Sequence, residues 1–227
     1  MGVTLDFSVV LDRWPMFLDG AWLTIRLALA STVLGFALGT LCAIGRRGRS
    51  AWLSRLCGVY VEAIRNTPFL VQIFVVYFGL SSLGLSLPAV TVAVIALTIN
   101  VGAYTAEIMR AGFDSIHKGQ LEAGECLGLS RVQIYWHVVL RPAMERVYPA
   151  LTSQFVMLML ASSVVSQISA EELTAVANFI QSDTYRAFET YIVVALLYIA
   201  LSLLMRAGFW GLGLMLFPRR RRLGTPL

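Results

Sequence analysis

Five long apolar stretches alternate with polar ones along this chain, at about 21–45, 59–83, 89–111, 147–168 and 190–217. Each is near the roughly twenty residues an α-helix needs to cross a bilayer. In hydrocarbon the backbone must satisfy its own polar groups, so helices are the plausible spanning form. The pattern therefore predicts an all-α, polytopic membrane protein with five transmembrane helices in one domain, 1–227. Pro88 falls where the third helix begins, a first-turn position at which a missing N–H costs nothing. Trp14, Trp22 and Trp210 lie near the ends of runs, where tryptophan collects at membrane interfaces.

Within the first run, Ser31, Gly35, Gly39 and Ala43 recur every four residues. Such a stripe of small side chains lets another helix approach closely, from the same chain or from a second subunit. The sizeable polar stretch, about 112–146, has an order of its own. Residues 120–127 are mostly good helix formers, and Gly128 suits the left-handed position just past a helix end. Ser130 and Gln133 then have the spacing of a capping box. Val132, Tyr135, Trp136 and Val139 follow at amphipathic spacing, and Pro142 marks an end or a kink. Two short helices at an angle are expected here. They either lie on the membrane surface or dock a cytoplasmic partner, with Glu122 and Glu125 on one face beside Leu121, Leu127 and Leu129.

Charge gives the orientation. Arg46, Arg47, Arg49 and Arg55 separate the first two runs, and Lys118, Arg131, Arg141 and Arg146 lie between the third and fourth, with Arg110 at the entry. Arg219 to Arg222 follow the fifth. The opposite ends carry Asp6, Asp12, Asp19, Glu171, Glu172, Asp183 and Glu189, with Arg13 and Arg186. The positive-inside rule places the N-terminus outside and the C-terminus in the cytoplasm. The net charge of +5 is thus explained by topology, and no nucleic-acid partner is expected. Only 14% of residues are charged, against about a quarter in soluble domains. The N-terminal stretch is acidic and lacks a signal peptide's basic start. Three cysteines and two histidines form no metal-ligand or disulfide pattern, so no metal site is expected and the thiols are read as unpaired.

The residues also resemble a known family. Glu122-Ala123-Gly124, then Gly128, then Val138-Val139-Leu140 are similar to the EAA loop of ABC importer permeases. Arg65-Asn66-Thr67-Pro68, Gly102-Ala103-Tyr104 and Gly119-Gln120-Leu121-Glu122-Ala123 extend the resemblance, specifically to the polar-amino-acid and opine branch. The resemblance implies a type I importer permease of the bacterial inner membrane whose loop docks on an ATP-hydrolysing subunit. The docking residues it points to are Leu121, Glu122, Ala123, Gly124, Glu125, Leu127, Gly128 and Leu129. It also implies a second permease subunit, identical or similar, a cytoplasmic ATPase pair that binds ATP and magnesium, and an extracytoplasmic solute-binding protein. Three departures stand out: Gly124 at the third position of Glu-Ala-Ala, Leu140-Arg141-Pro142 where the family has Leu-Pro, and Leu160-Ala161-Ser162-Ser163 where the branch often has Lys-Asp-Thr-Ser.

Candidate chemistry inside the spans is sparse. The chain has no P-loop, its one lysine being Lys118, and no nucleophile–base pair, so it is not expected to be an enzyme and needs no cofactor of its own. Asn100, Tyr104 and Glu107 share one face of the third run. Ser162, Ser163 and Ser166 share a face of the fourth, with Gln154 two turns earlier. They either serve packing and local pairing or line a solute pathway, since polar groups in spans tend to face the bundle interior. Glu62 and Arg65 are spaced to pair along one helix, as a gate element or a structural pair. The competing reading is an ion-gradient-driven secondary transporter or channel, for which no internal repeat is found. The solute stays open among amino acids, opines and amines.

Overall fold

A computed structural model describes residues 5–48 and 50–217. Every regular element among them is helical. After a single turn, α1 (Ser8–Leu11), come α2 (Trp14–Arg47), α3 (Ala51–Arg65), α4 (Phe69–Ser82), α5 (Ala89–Asp114), α6 (Lys118–Cys126) and α7 (Arg131–Gln133). A π-helical stretch, Ile134–Leu140, leads into α8 (Arg141–Ala161), which tightens into a 3₁₀ segment, Ser162–Ile168. The last two are α9 (Leu173–Thr184) and α10 (Ala187–Leu216).

The centre of the fold is the α2–α5 pair, and the small-residue stripe makes it. Its partner is α5 of the same chain. A Cβ added at Gly39 would stand 2.5 Å from the Gly102 carbonyl oxygen and 2.8 Å from Ala106 N; one at Gly35 would stand 3.3 Å from Gly102 N. Matching positions rise together along both helices, from Gly35 with Thr98 to Arg46 with Glu107 and Arg47 with Asp114. The two helices are therefore parallel, and residues between them must carry the chain back across the membrane.

That return is not the straight helix expected over 59–83. It is a bent pair, α3 and α4, the chain turning by 114° between them. Pro68 causes the break: it has no N–H to donate and drives Thr67 out of the helical region. Side chains reinforce the carbonyls around the break. Asn66 Nδ2 donates to the Glu62 carbonyl (2.8 Å), Thr67 Oγ1 to that of Ala63 (2.8 Å), and Gln72 Nε2 to those of Ile64 (2.7 Å) and Thr67 (2.9 Å). Counting the bent pair as one span, five segments are long and apolar enough to cross.

The fourth span differs as well. Arg131–Ile168 is one 38-residue helical run, so the second loop helix passes directly into the membrane rather than stopping at Pro142. The proline sits in the first turn of α8, and the π-helical stretch just before it absorbs the mismatch, as wider turns do where an α-ladder lacks a donor. The expected apolar face divides accordingly. Val139 is buried and Tyr135 packs on Phe113, whereas Val132 and Trp136 point outward.

At the outer end a carboxylate ties three helices together. Glu172 is fully buried and caps α9 by accepting from Thr174 N (2.9 Å) and Ala175 N (3.0 Å). It also accepts from Tyr198 Oη on α10 (2.8 Å) and lies 3.5 Å from Thr24 Oγ1 on α2. Burial pushes its carboxyl upward from the ordinary range, while these donors pull the other way.

Candidate coupling site at the cytoplasmic end

The arginine-rich ends of α2, α5 and α8 meet at one end of the bundle, where α6 is held. Helix α6 stops in the way its glycine predicts. Gly128 takes φ +72°, its N–H bonds the Glu125 carbonyl (2.9 Å), and Leu129 N bonds the Gly124 carbonyl (3.1 Å). Those two bonds are a Schellman motif, completed by Leu129 Cδ1 lying against Gly124. Ser130 then starts the next helix with both halves of the capping box, Gln133 N to Ser130 Oγ (3.4 Å) and Ser130 N to Gln133 Oε1 (2.9 Å). One helix ends and the next begins within four residues, each end fixed by its own hydrogen bonds.

This turn sorts the eight loop residues onto two sides. Leu121 packs against the core, Gly124 is buried and Leu129 is half-buried. Glu122, Ala123, Glu125, Leu127 and Gly128 face outward, with Leu127 79% exposed. Gly124 has a packing role, because a Cβ there would meet Ile134 Cγ1 at 3.1 Å. The backing is firm. Arg146 on α8 donates to the carbonyl and hydroxyl oxygens of Ser115, at the C-cap of α5, and Gly112 lets Val147 approach. Helix α6 is thus packed at the junction of α5 and the helix that becomes the fourth span.

Beside this clamp, Glu107 gathers three guanidinium groups. Arg46 Nη1 lies at 3.0 Å and Arg65 Nη1 at 4.0 Å, and Arg110 bonds it through Nε (3.1 Å) and Nη2. Arg65 also stands over the Tyr104 ring, 5.8 Å from its centre. Glu107, Tyr104 and Arg65 are therefore one cluster joining α2, α3 and α5. The expected Glu62–Arg65 pair does not form: Glu62 accepts from Asn66 Nδ2 at 3.1 Å, while Arg65 is drawn to Glu107. Arg46 was not singled out in the sequence, where it read only as a topology charge.

The remaining polar candidates do not share one site. Asn100 is buried and donates to Gln72 Oε1 (2.8 Å), so it buttresses the α3–α4 bend through a glutamine that apolar patterning passes over. Ser162 is buried and bonds the Met159 carbonyl (2.6 Å), and Ser166 bonds that of Ser163 (2.8 Å). These local bonds follow the three-residue period of a 3₁₀ segment, which also parts Ser162 from the half-buried Ser163 and Ser166. Gln154 is half-buried on α8. Glu172, Thr24 and Tyr198 are further polar groups that hydropathy alone did not single out.

Three comparisons place this arrangement among known proteins. Residues 35–209 match the family model described as the binding-protein-dependent transport system inner membrane component. The chain is 35% identical over 204 residues to the probable glutamine ABC transporter permease GlnM of Bacillus subtilis (strain 168), covering 90% of this chain and 94% of that protein. It is 33% identical over 220 residues to the octopine transport permease OccM of Rhizobium radiobacter, covering 92% and 90%. A crystal structure of an amino acid ABC transporter with histidines superposes with a TM-score of 0.85 at 35% identity, over 96% of this chain and all of the matched one.

Proposed function

The chain belongs to the family of binding-protein-dependent transport system inner-membrane components, and from that premise we propose how its residues serve ATP-driven uptake. It is a multi-pass inner-membrane permease of the amino acid ABC importer class. The cargo is an amino acid or an amino-acid-like solute, the class to which the glutamine and octopine carried by its relatives' systems belong. ATP and magnesium bind a separate cytoplasmic ATPase pair. A second permease subunit and an extracytoplasmic solute-binding protein complete the assembly.

The observation that carries this reading is the double-capped turn between α6 and α7. It holds an acidic and apolar face, Glu122, Ala123, Glu125 and Leu127, outward on a clamp of buried contacts. Leu121, Gly124, Gly128 and Leu129 fix the shape of that face, and the exposed residues enter a groove of the ATPase. Closing of the ATPase dimer then moves α6 and, through Ser115–Arg146 and Gly124–Ile134, displaces α5 and the fourth span. Such a helix transmits work only because its docking free energy differs between the open and closed ATPase. The Glu107–Arg65–Tyr104 cluster latches α3 to α5 at the cytoplasmic mouth, with the 4.0 Å contact as its loosest member. Gln154, Ser163 and Ser166 supply polar groups along the solute's path.

The test is uptake into proteoliposomes containing the permease with its co-expressed partner subunits. Accumulation should require ATP on the side of the ATPase and be indifferent to ion gradients. Gradient-driven uptake by the permease chain alone would overturn the reading.

A further inference from the structure

Helices α8 and α10 leave a cavity of about 250 Å³ between them, away from the coupling turn and the Glu107 cluster. Its working residues are Tyr148, Thr152, Ser153, Arg206, Phe209 and Trp210. We propose that this cavity binds the headgroup phosphate of an anionic phospholipid of the inner leaflet, with Arg206 as the cation that holds it.

Arg206 is the starting point. It lies within the fifth span, ten residues before Leu216 and so about 15 Å from the helix end. Among the described residues no acidic side chain pairs with it. A cation within a span is costly unless it reaches water or an anion.

The depth of the cavity fixes which anion is at hand. Arg146 is tied to Ser115 at the cytoplasmic end of the bundle, and Tyr148, which lines the cavity, follows two residues later. The cavity therefore starts at the inner interface, and Trp210, 59% exposed at its side, sits where aromatic side chains mark that level. Tyr148 Oη donates to the Phe209 carbonyl (2.6 Å) and locks the two helices there.

The hydroxyls have distinct roles. Thr152 already donates to the Pro149 carbonyl (2.9 Å), whereas exposed Ser153 has no such bond among the described residues and can donate to a second phosphate oxygen. Basic pockets between spans on the cytoplasmic side are suited to anionic headgroups. The fifth span is also the least covered by the rest of the chain: 17% of its apolar stretch is buried, against 39%, 50% and 44% in the other unbroken spans. That leaves the cavity open to the outside of the bundle. The inference rests on the chain's place in the membrane and stands whether or not uptake is ATP-driven.

Native mass spectrometry of the purified, delipidated complex tests it, with phosphatidylglycerol and phosphatidylcholine added back in parallel. The wild type should retain phosphatidylglycerol about tenfold more tightly, because the choline ammonium of phosphatidylcholine offsets the phosphate charge that Arg206 holds. Arg206→Gln should abolish that preference, and Arg55→Gln, an exposed charge elsewhere, should leave it intact. A measurement on the unaltered charge set supports it: Trp210 fluorescence, taken as wild type minus Trp210→Phe, should be quenched more by brominated phosphatidylglycerol than by brominated phosphatidylcholine. Equal retention of the two lipids, or a preference that survives Arg206→Gln, would overturn the proposal. So would displacement of the lipid by saturating glutamine, which would make the cavity a solute subsite. Separation of paired permeases by Arg206→Gln would make Arg206 a subunit contact and overturn it too.

Discussion

Gln72 shows how much one side chain can hold inside a membrane. It donates to the Ile64 and Thr67 carbonyls beside the break and accepts from Asn100, so three helical segments depend on one amide. Its side chain is buried, so water has little access to replace it. Gln72→Leu should lower thermal stability in detergent by about 1–3 kcal/mol, the cost of stranding buried polar groups. Asn100→Leu should cost less, because Gln72 keeps its carbonyl contacts. Equal melting of wild type and Gln72→Leu would show that the bend does not need the amide. Neither role was legible in the sequence: Asn100 was noticed as polar in an apolar run, but a contact to a residue 28 positions away has no local signature. Glu172 makes the same point at the outer end. Glu172→Ala removes the α9 cap and should cost about 1–2 kcal/mol, read as a lower melting temperature.

At the scale of elements, two features were readable and two were not. The small-residue stripe foretold a close helix contact, and the Gly128 and Ser130 signals foretold the turn between α6 and α7, because capping is local chemistry. The bend at Asn66-Thr67-Pro68 and the passage of the loop helix into the fourth span were missed. Hydropathy averages over a proline whose lost donor is compensated by side chains, and it has no term for a π-helical turn. The stripe gives a sharp test. At Gly39 a side chain would meet the backbone of α5, which cannot step aside, so Gly39→Leu should part the α2–α5 pair and lose at least about 1–3 kcal/mol. Gly58→Leu, in open space, should be tolerated; similar yields of folded protein for both would contradict the packing scheme. Gly128→Ala forces a Cβ into the left-handed region at about 1–2 kcal/mol and should loosen the turn, seen as faster amide exchange at Leu129.

For the whole molecule, the positive-inside pattern predicts which end faces the cytoplasm, and the parallel α2–α5 pair with its bent return gathers Arg46, Arg47 and Arg110 at one end of the bundle. The family resemblance was legible because the loop between α5 and α8 uses residues that an ordinary connection does not need: outward-facing glutamates and a leucine on a turn built from two caps. The central claim is that this turn passes the energy of ATP hydrolysis into the bundle. It is tested most directly by measuring solute uptake and ATP hydrolysis in the same proteoliposomes, for wild type and Glu122→Lys. The account predicts that Glu122→Lys inserts and assembles normally yet moves about tenfold less solute per ATP hydrolysed, as expected when a docking charge is reversed. An unchanged ratio of solute to ATP would contradict it.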